Sequence, residues 1–96
     1  MPKFSVEVSP TSSPNIKKFV ANSLLTKSSS HEFKNIDEAG SSPLVQELFY
    51  LPFVKTVFVS QNFIAIEKYD IVEWEDVQEE VAISISEYLD SGKPVI

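Results

Sequence analysis

The chain has 96 residues, with eight lysines or arginines, 14 aspartates or glutamates, a formal net charge of −6 and no cysteine. A chain of this length forms one domain, and its 43% apolar content is typical of a globular protein. The absence of cysteine excludes a disulfide, a thiolate nucleophile, a zinc finger and a Cys-ligated iron–sulfur cluster within these residues. All eight cations are lysines, and the negative net charge argues against a nucleic-acid partner.

The acidic charge is concentrated in the second half of the chain. Residues 1–48 carry five lysines and five acids, whereas residues 49–96 carry three lysines and nine acids. The start lacks the basic-then-apolar pattern of a signal peptide, and no apolar run approaches the roughly 20 residues of a membrane span. We therefore expect a cytoplasmic protein with no membrane partner.

Three strands are predicted in the first part of the chain. Alternating apolar and polar residues predict a strand over residues 1–9, which ends at a turn rich in proline and serine. A second strand is predicted over residues 16–22. After a loop at residues 24–30, a third and weakly patterned strand is predicted over residues 31–36.

Two helices are predicted from their capping residues and apolar periodicity. Ser42 is placed to cap the first helix, Pro43 suits its first turn, and Pro52 stops it. The second helix runs from Trp74 to Ser91 with one apolar stripe, and Gly92 suits the position after its end.

Between the helices lies the clearest hairpin, with arms at residues 54–59 and 63–69 around a turn at residues 60–62. Alternation along the strands puts Phe58 and Phe63 on one face. The other face then carries four aliphatic residues: Val57, Val59, Ile64 and Ile66. Because helices on one side cover only one face, the face with Phe58 and Phe63 packs beneath a loop or the N-terminal strands, or is available to a partner.

The element order predicts the fold class. We expect a single α+β domain over residues 1–96, with a mostly antiparallel sheet of four to five strands and two helices on one face, in the order ββ(β)αββα.

Few residues suit catalysis. His31 is the only histidine, and beside Glu32 on a predicted edge strand it is most simply a surface residue. No serine lies in a nucleophile-elbow motif. The paired acids Glu75–Asp76 and Glu79–Glu80 lie on a solvated helix face, where they suit solubility better than hydrolysis. We therefore expect no enzyme.

Four segments in chain order resemble the N-terminal domain of the Nfu/NifU-type iron–sulfur cluster scaffold proteins. They are the turn and strand TSSPNIKKF at 11–19, the segment 35–51 with its DEA, SPL and LF sequences, the hairpin at 54–68, and the final helix from Trp74 with SGKPV at 91–95. Phe53 replaces the glycine that this family has before the hairpin, which predicts an aromatic side chain at the surface.

The resemblance implies a role in iron–sulfur cluster assembly or delivery. Family members carry the cluster on a Cys-x-x-Cys motif in a second domain, so we expect a stand-alone domain that lacks this motif and binds no cofactor through thiolates. Its partner is then a protein of the assembly pathway, a separate cysteine-bearing scaffold domain being one candidate. The sequence leaves open whether carboxylates bind iron weakly.

Two functional hypotheses follow. The first is a non-catalytic protein-interaction module, monomeric or weakly dimeric. Its predicted partner-binding residues are Phe53, Phe58, Phe63, Glu79, Glu80, Ile83 and Glu87. The alternative is a small-ligand-binding or homo-oligomeric structural domain that uses the apolar face of the 54–69 hairpin.

Overall fold

The computed structural model describes residues 6–22, 24–25, 30–40 and 42–91. Their elements are β1 (Val6–Pro10), β2 (Ile16–Ala21), β3 (His31–Phe33), a 3-10 helix (Ile36–Ala39), α1 (Pro43–Phe49), β4 (Val54–Ser60), β5 (Phe63–Lys68) and α2 (Trp74–Asp90). The strands form one antiparallel sheet in the order β1-β2-β5-β4-β3. The predicted α+β fold is therefore confirmed.

Some predictions fall partly or wholly outside the described residues. These are the start of the first strand at residues 1–5, part of the loop at residues 26–29, and the helix-terminating role of Gly92. The extension of the domain over residues 1–96 stays a prediction. Within the described residues, no helix has the length and apolarity needed to cross a membrane.

The third strand is shorter than predicted, because side chains after Phe33 bond to the backbone. The Asn35 Oδ1 atom accepts a hydrogen bond from the Glu38 amide at 3.1 Å, and Glu38 Oε1 accepts one from the Lys34 amide at 2.8 Å. Asn and Glu side chains that satisfy backbone groups in this way start a helical turn instead of continuing a strand. The 3-10 helix therefore replaces the last predicted strand residues.

Helix α1 starts as its sequence predicts. The Ser42 hydroxyl accepts a hydrogen bond from the Val45 amide at 3.3 Å, and Pro43 occupies the first turn, where its missing N–H has no intrahelical partner to lose. The helix ends at Phe49, before Pro52.

The core lies between the two helices and one face of the sheet. Val57, Val59, Ile64 and Ile66 have no exposed surface, which confirms the predicted inner face of the hairpin. The other buried core residues of the strands and of α1 and α2 are Phe19, Ala21, Phe33, Leu44, Val45, Leu48, Val54, Trp74, Val81, Ile85, Tyr88 and Leu89.

Phe53 is buried in this core, so the expectation that it lies at the surface is wrong. Only 6% of it is exposed, and its ring meets the Trp74 ring edge-on with the centroids 6.3 Å apart. The Tyr69 amide donates a hydrogen bond to the Phe53 carbonyl at 2.8 Å, which holds this backbone against the end of β5. As a result, the Phe53 side chain enters the core and offers no surface to a partner.

Lys68 at the end of β5 is also buried, with 3% of its surface exposed. It follows the alternation of Ile64 and Ile66 and so lies on the inner face of the sheet. Its ammonium donates a hydrogen bond to Asn15 Oδ1 at 3.2 Å, and its amide donates one to the Asn15 carbonyl at 2.9 Å. This lysine is therefore part of the packing and not of the surface charge.

Candidate functional site

The sheet has an outer side on which no helix of the described residues packs. We call this side the open face. By register and alternation it carries Glu7, Ser9, Ile16, Lys18, Val20, Glu32, Thr56, Phe58, Ser60, Phe63, Ala65 and Glu67. The N-terminal strands extend the sheet beside Phe58 and Phe63 and do not lie over them. Phe58 and Phe63 are both half-buried and lie outside the core cluster.

An apolar patch occupies the centre of the open face. The Phe58 and Phe63 rings have their centroids 6.1 Å apart and are tilted by 35°. Val20 lies opposite Phe63 on the neighbouring strand, and Ala65 lies opposite Phe58. Cross-strand pairs of this kind stabilise a sheet, and here they also form a continuous apolar surface.

Charged groups border this patch. The Lys18 ammonium lies 4.5 Å from the centroid of the Phe63 ring, a cation–π contact. At one end, Glu67 accepts a hydrogen bond from the Thr56 hydroxyl at 3.1 Å and lies 4.0 Å from the Lys55 ammonium. An apolar centre with a polar border is the arrangement found in protein–protein interfaces.

The predicted acidic residues lie on the other side of the molecule. Glu79, Glu80 and Glu87 are exposed on α2, and Ile83 between them is 52% exposed. Because α2 packs on the inner face of the sheet, the structure does not bring these residues together with Phe58 and Phe63. The predicted set therefore divides into an open-face pair, a helix-surface group and the buried Phe53.

A groove between the two helices was not found by sequence reasoning. It has a volume of about 380 Å³. Its lining residues are Leu44, Glu47, Leu48, Leu51, Ser84, Glu87, Tyr88 and Ser91. We call it the helix groove. The sequence did indicate an acidic surface on the helices, because neither helix contains lysine or arginine and each has an acid near its C-terminus.

The phenol of Tyr88, which lines the helix groove, has a raised pKa. Burial raises its pKa above the ordinary value, and the nearby Glu47 carboxylate raises the pKa further by disfavouring a second negative charge.

We expect Tyr88 to ionise above about pH 10, and the measurement is ultraviolet absorbance of the phenolates as pH rises. Tyr88→Phe should remove the late step, whereas Glu47→Gln should lower the pKa only in part.

The raised pKa of Tyr88 also predicts how the stability of the fold changes with pH. The neutral phenol contributes stability that is present below the unfolded pKa of about 10 and is lost as pH rises through the folded value. Above about pH 10, the free energy of unfolding of Tyr88→Phe should therefore fall less steeply with pH than that of the wild type. If the absorbance step that Tyr88→Phe removes falls at or below about pH 10, the assignment of a raised pKa to Tyr88 is contradicted.

No metal centre is visible among the described residues, where three or more His, Cys, Asp or Glu side chains nowhere converge as ligands. His31 lies on the edge strand β3, with its ring stacked near Phe33 at a centroid distance of 6.3 Å. The acid pairs Glu75–Asp76 and Glu79–Glu80 remain on the exposed surface of α2. Surface exposure of these acids fits the predicted solvated helix face.

Comparison with known proteins gives consistent relatives. Residues 6–92 match the family model "Scaffold protein Nfu/NifU N terminal". The NFU1 iron-sulfur cluster scaffold homolog, mitochondrial, of Drosophila erecta is 34% identical over 92 residues, which are 95% of this chain and 32% of that protein. The homolog of the same name in Drosophila sechellia is 35% identical over the same shares. The chain thus spans about a third of the length of these relatives.

Solved structures agree with the fold. The solution structure of a NifU-like protein from Saccharomyces cerevisiae has a TM-score of 0.86 and 27% identity, covering 100% of this chain and 87% of that one. The crystal structure of SAV1430 from Staphylococcus aureus, at 22% identity and a TM-score of 0.71, covers 84% of this chain and 98% of that one and supports the fold alone.

These names overturn one prediction and confirm another. The expectation of a cytoplasmic protein is wrong, because the curated relatives are named as mitochondrial proteins. The resemblance seen in the four sequence segments is confirmed by the family match over residues 6–92. The chain belongs to the Nfu/NifU N-terminal domain family, which is linked to iron–sulfur cluster scaffolding.

Proposed function

We propose that the chain is a non-catalytic protein-interaction domain that acts in iron–sulfur cluster assembly or delivery. The family match and the scaffold names of the relatives support the pathway. Because the chain has no cysteine, it supplies no thiolate to a cluster. The cluster is therefore cargo held by thiolates from elsewhere, and this domain's part is to dock the protein that holds or receives it.

The open face is the observation that carries this proposal. A sheet needs only one covered face for its core, yet Phe58, Phe63, Val20 and Ala65 make the second face apolar at its centre. Aromatic side chains at the centre of a surface with a polar border are typical of residues that dominate binding energy. We therefore assign Phe58 and Phe63 as the principal docking residues of the predicted set.

Lys18 affects how much of this apolar patch is accessible to a partner. Its contact with the Phe63 ring covers part of the patch in the free domain. An exposed cation–π contact contributes only about 0.5–1 kcal/mol, so a partner can displace the lysine at small cost. The cation is then free to meet an acidic residue at the rim of the partner.

The experiment is deletion of the gene followed by rescue. We expect deletion to lower the activities of iron–sulfur enzymes and the wild-type chain to restore them. The double variant Phe58→Ser/Phe63→Ser should fail to restore them, because it removes the apolar centre. Ile71→Ser, which removes a 65% exposed apolar side chain outside the strands, should rescue fully.

Circular dichroism of the purified variants establishes that each still folds, and Phe58→Ser alone serves if the double variant does not. Normal iron–sulfur enzyme activities after deletion would refute the proposed pathway. A stable symmetric dimer formed through Phe58 and Phe63 would instead assign this face to self-association and refute the docking role.

A further inference from the structure

Among the described residues that line the helix groove, the only charged side chains are acidic. Neither α1 nor α2 contains a lysine or arginine, and neither has a basic residue in its last turn. Helix C-termini carry partial negative charge and are usually offset by cations. Within the described residues, neither helix therefore has a cation of its own to offset the partial negative charge at its C-terminus.

These negative ends meet at the helix groove. Leu51, just after α1, and Ser91, just after α2, both line it, so the two C-terminal ends lie side by side. The exposed acids Glu47 and Glu87 add one carboxylate from each helix. The raised pKa of Tyr88 has Glu47 as one cause, which agrees with a negative potential inside the groove.

Three leucines and one tyrosine supply the apolar part of the groove lining. Leu44, Leu48 and Leu51 come from the α1 side, and the Tyr88 ring comes from α2. The volume of about 380 Å³ lies at the small end of the range for ligand sites, enough for one or two side chains. A bare cation would leave this apolar lining unused, and an anionic ligand such as a nucleic-acid phosphate would be repelled.

We propose that the helix groove binds a segment of a partner protein that places a lysine or arginine beside an apolar side chain. The apolar side chain packs on Leu48 and Tyr88, and the cation lies between Glu47 and Glu87 near the helix ends. The inference rests on the proposed function, since it gives the docked protein a second contact on the side opposite the open face.

The probe is a synthetic amphipathic peptide of alternating leucine and lysine pairs, with a control peptide in which every lysine is glutamate. Each is titrated into the purified ¹⁵N-labelled chain, and amide shifts are followed by NMR. We expect the basic peptide to shift the amides of Glu47, Leu48, Tyr88 and Ser91, with binding that weakens as salt is raised. The acidic peptide should cause no such shifts.

Matched charge variants sharpen the test. Glu47→Gln and Glu87→Gln should each weaken the peptide about two- to fivefold, the range for exposed ion pairs. Glu75→Gln, an exposed acid in the first turn of α2 that does not line the groove, should leave the affinity unchanged. These three substitutions lie on the surface and should leave the fold intact.

Three outcomes would overturn the groove proposal. They are equal binding of the two peptides, shifts centred on Phe58 and Phe63, and binding seen only with Lys93→Ala, which would assign the groove to the chain's own lysine. Each is distinct from failure of the proposed function, because the titration uses no iron–sulfur protein. Conversely, normal enzyme activities after gene deletion would leave the peptide result unchanged.

Discussion

Replacing Phe19 with alanine is expected to lower the free energy of unfolding by about 3–5 kcal/mol. The Phe19 side chain has no exposed surface, and its ring meets the Trp74 ring edge-on with centroids 5.7 Å apart. Alanine would therefore leave a cavity between the sheet and α2. Domains of this kind have total stabilities of about 5–15 kcal/mol, so much of the folded population could be lost. Urea denaturation followed by circular dichroism measures the change.

Phe63→Ala is the matched control, because it removes the same side chain from the open face. We expect a loss of about 1 kcal/mol, mainly from its contact with the half-buried Phe58 ring. The difference between the two variants reports which face the helices cover. Equal losses at Phe19 and Phe63 would contradict the description of an open face.

Asn15→Ala is expected to lower the free energy of unfolding by about 1–3 kcal/mol. This substitution removes the side-chain acceptor 3.2 Å from the buried Lys68 ammonium. A buried charge without its hydrogen-bond partner costs much more than an exposed one. Urea denaturation at constant pH and salt measures the effect.

A second substitution, at Lys68, shows whether the buried ammonium causes the loss of stability in Asn15→Ala. In Asn15→Ala/Lys68→Met the ammonium is absent, so most of the lost stability should return, since apolar replacement of a buried ionic group is often neutral or stabilising. If the double variant is as unstable as Asn15→Ala alone, the cost comes from the Asn15 turn and not from the lysine.

Local sequence patterns predicted much of this fold. Alternation in the hairpin separated the buried Val57 and Val59 from the half-buried Phe58, because neighbouring strand residues point to opposite faces. Ser42 and Pro43 marked the start of α1 through the chemistry of a helix N-terminus. These signals depend on residues close together in sequence, so a single chain reveals them.

Features that depend on distant contacts could not be predicted in this way. Phe53 lies inside because of Trp74, and Lys68 is held by Asn15, 53 residues earlier in the chain. An irregular register between Val54 and Thr56 also alters the strand pairing in this region. The helix groove likewise arises only when α1 and α2 pack against the sheet. Sequence reasoning found the open-face pair. The lack of lysine and arginine in both helices pointed to an acidic surface, but nothing in the sequence showed that the two helix ends would meet.

We propose that the open face docks a protein of the iron–sulfur pathway. The most direct test is affinity capture from cells that express the tagged chain, with cross-linking and mass spectrometry to identify what is bound. We predict that the wild-type chain and Ile71→Ser retain a cluster-assembly or cluster-receiving protein, and that Phe58→Ser loses it. Capture of no such protein, or equal capture by wild type and Phe58→Ser, would contradict the account.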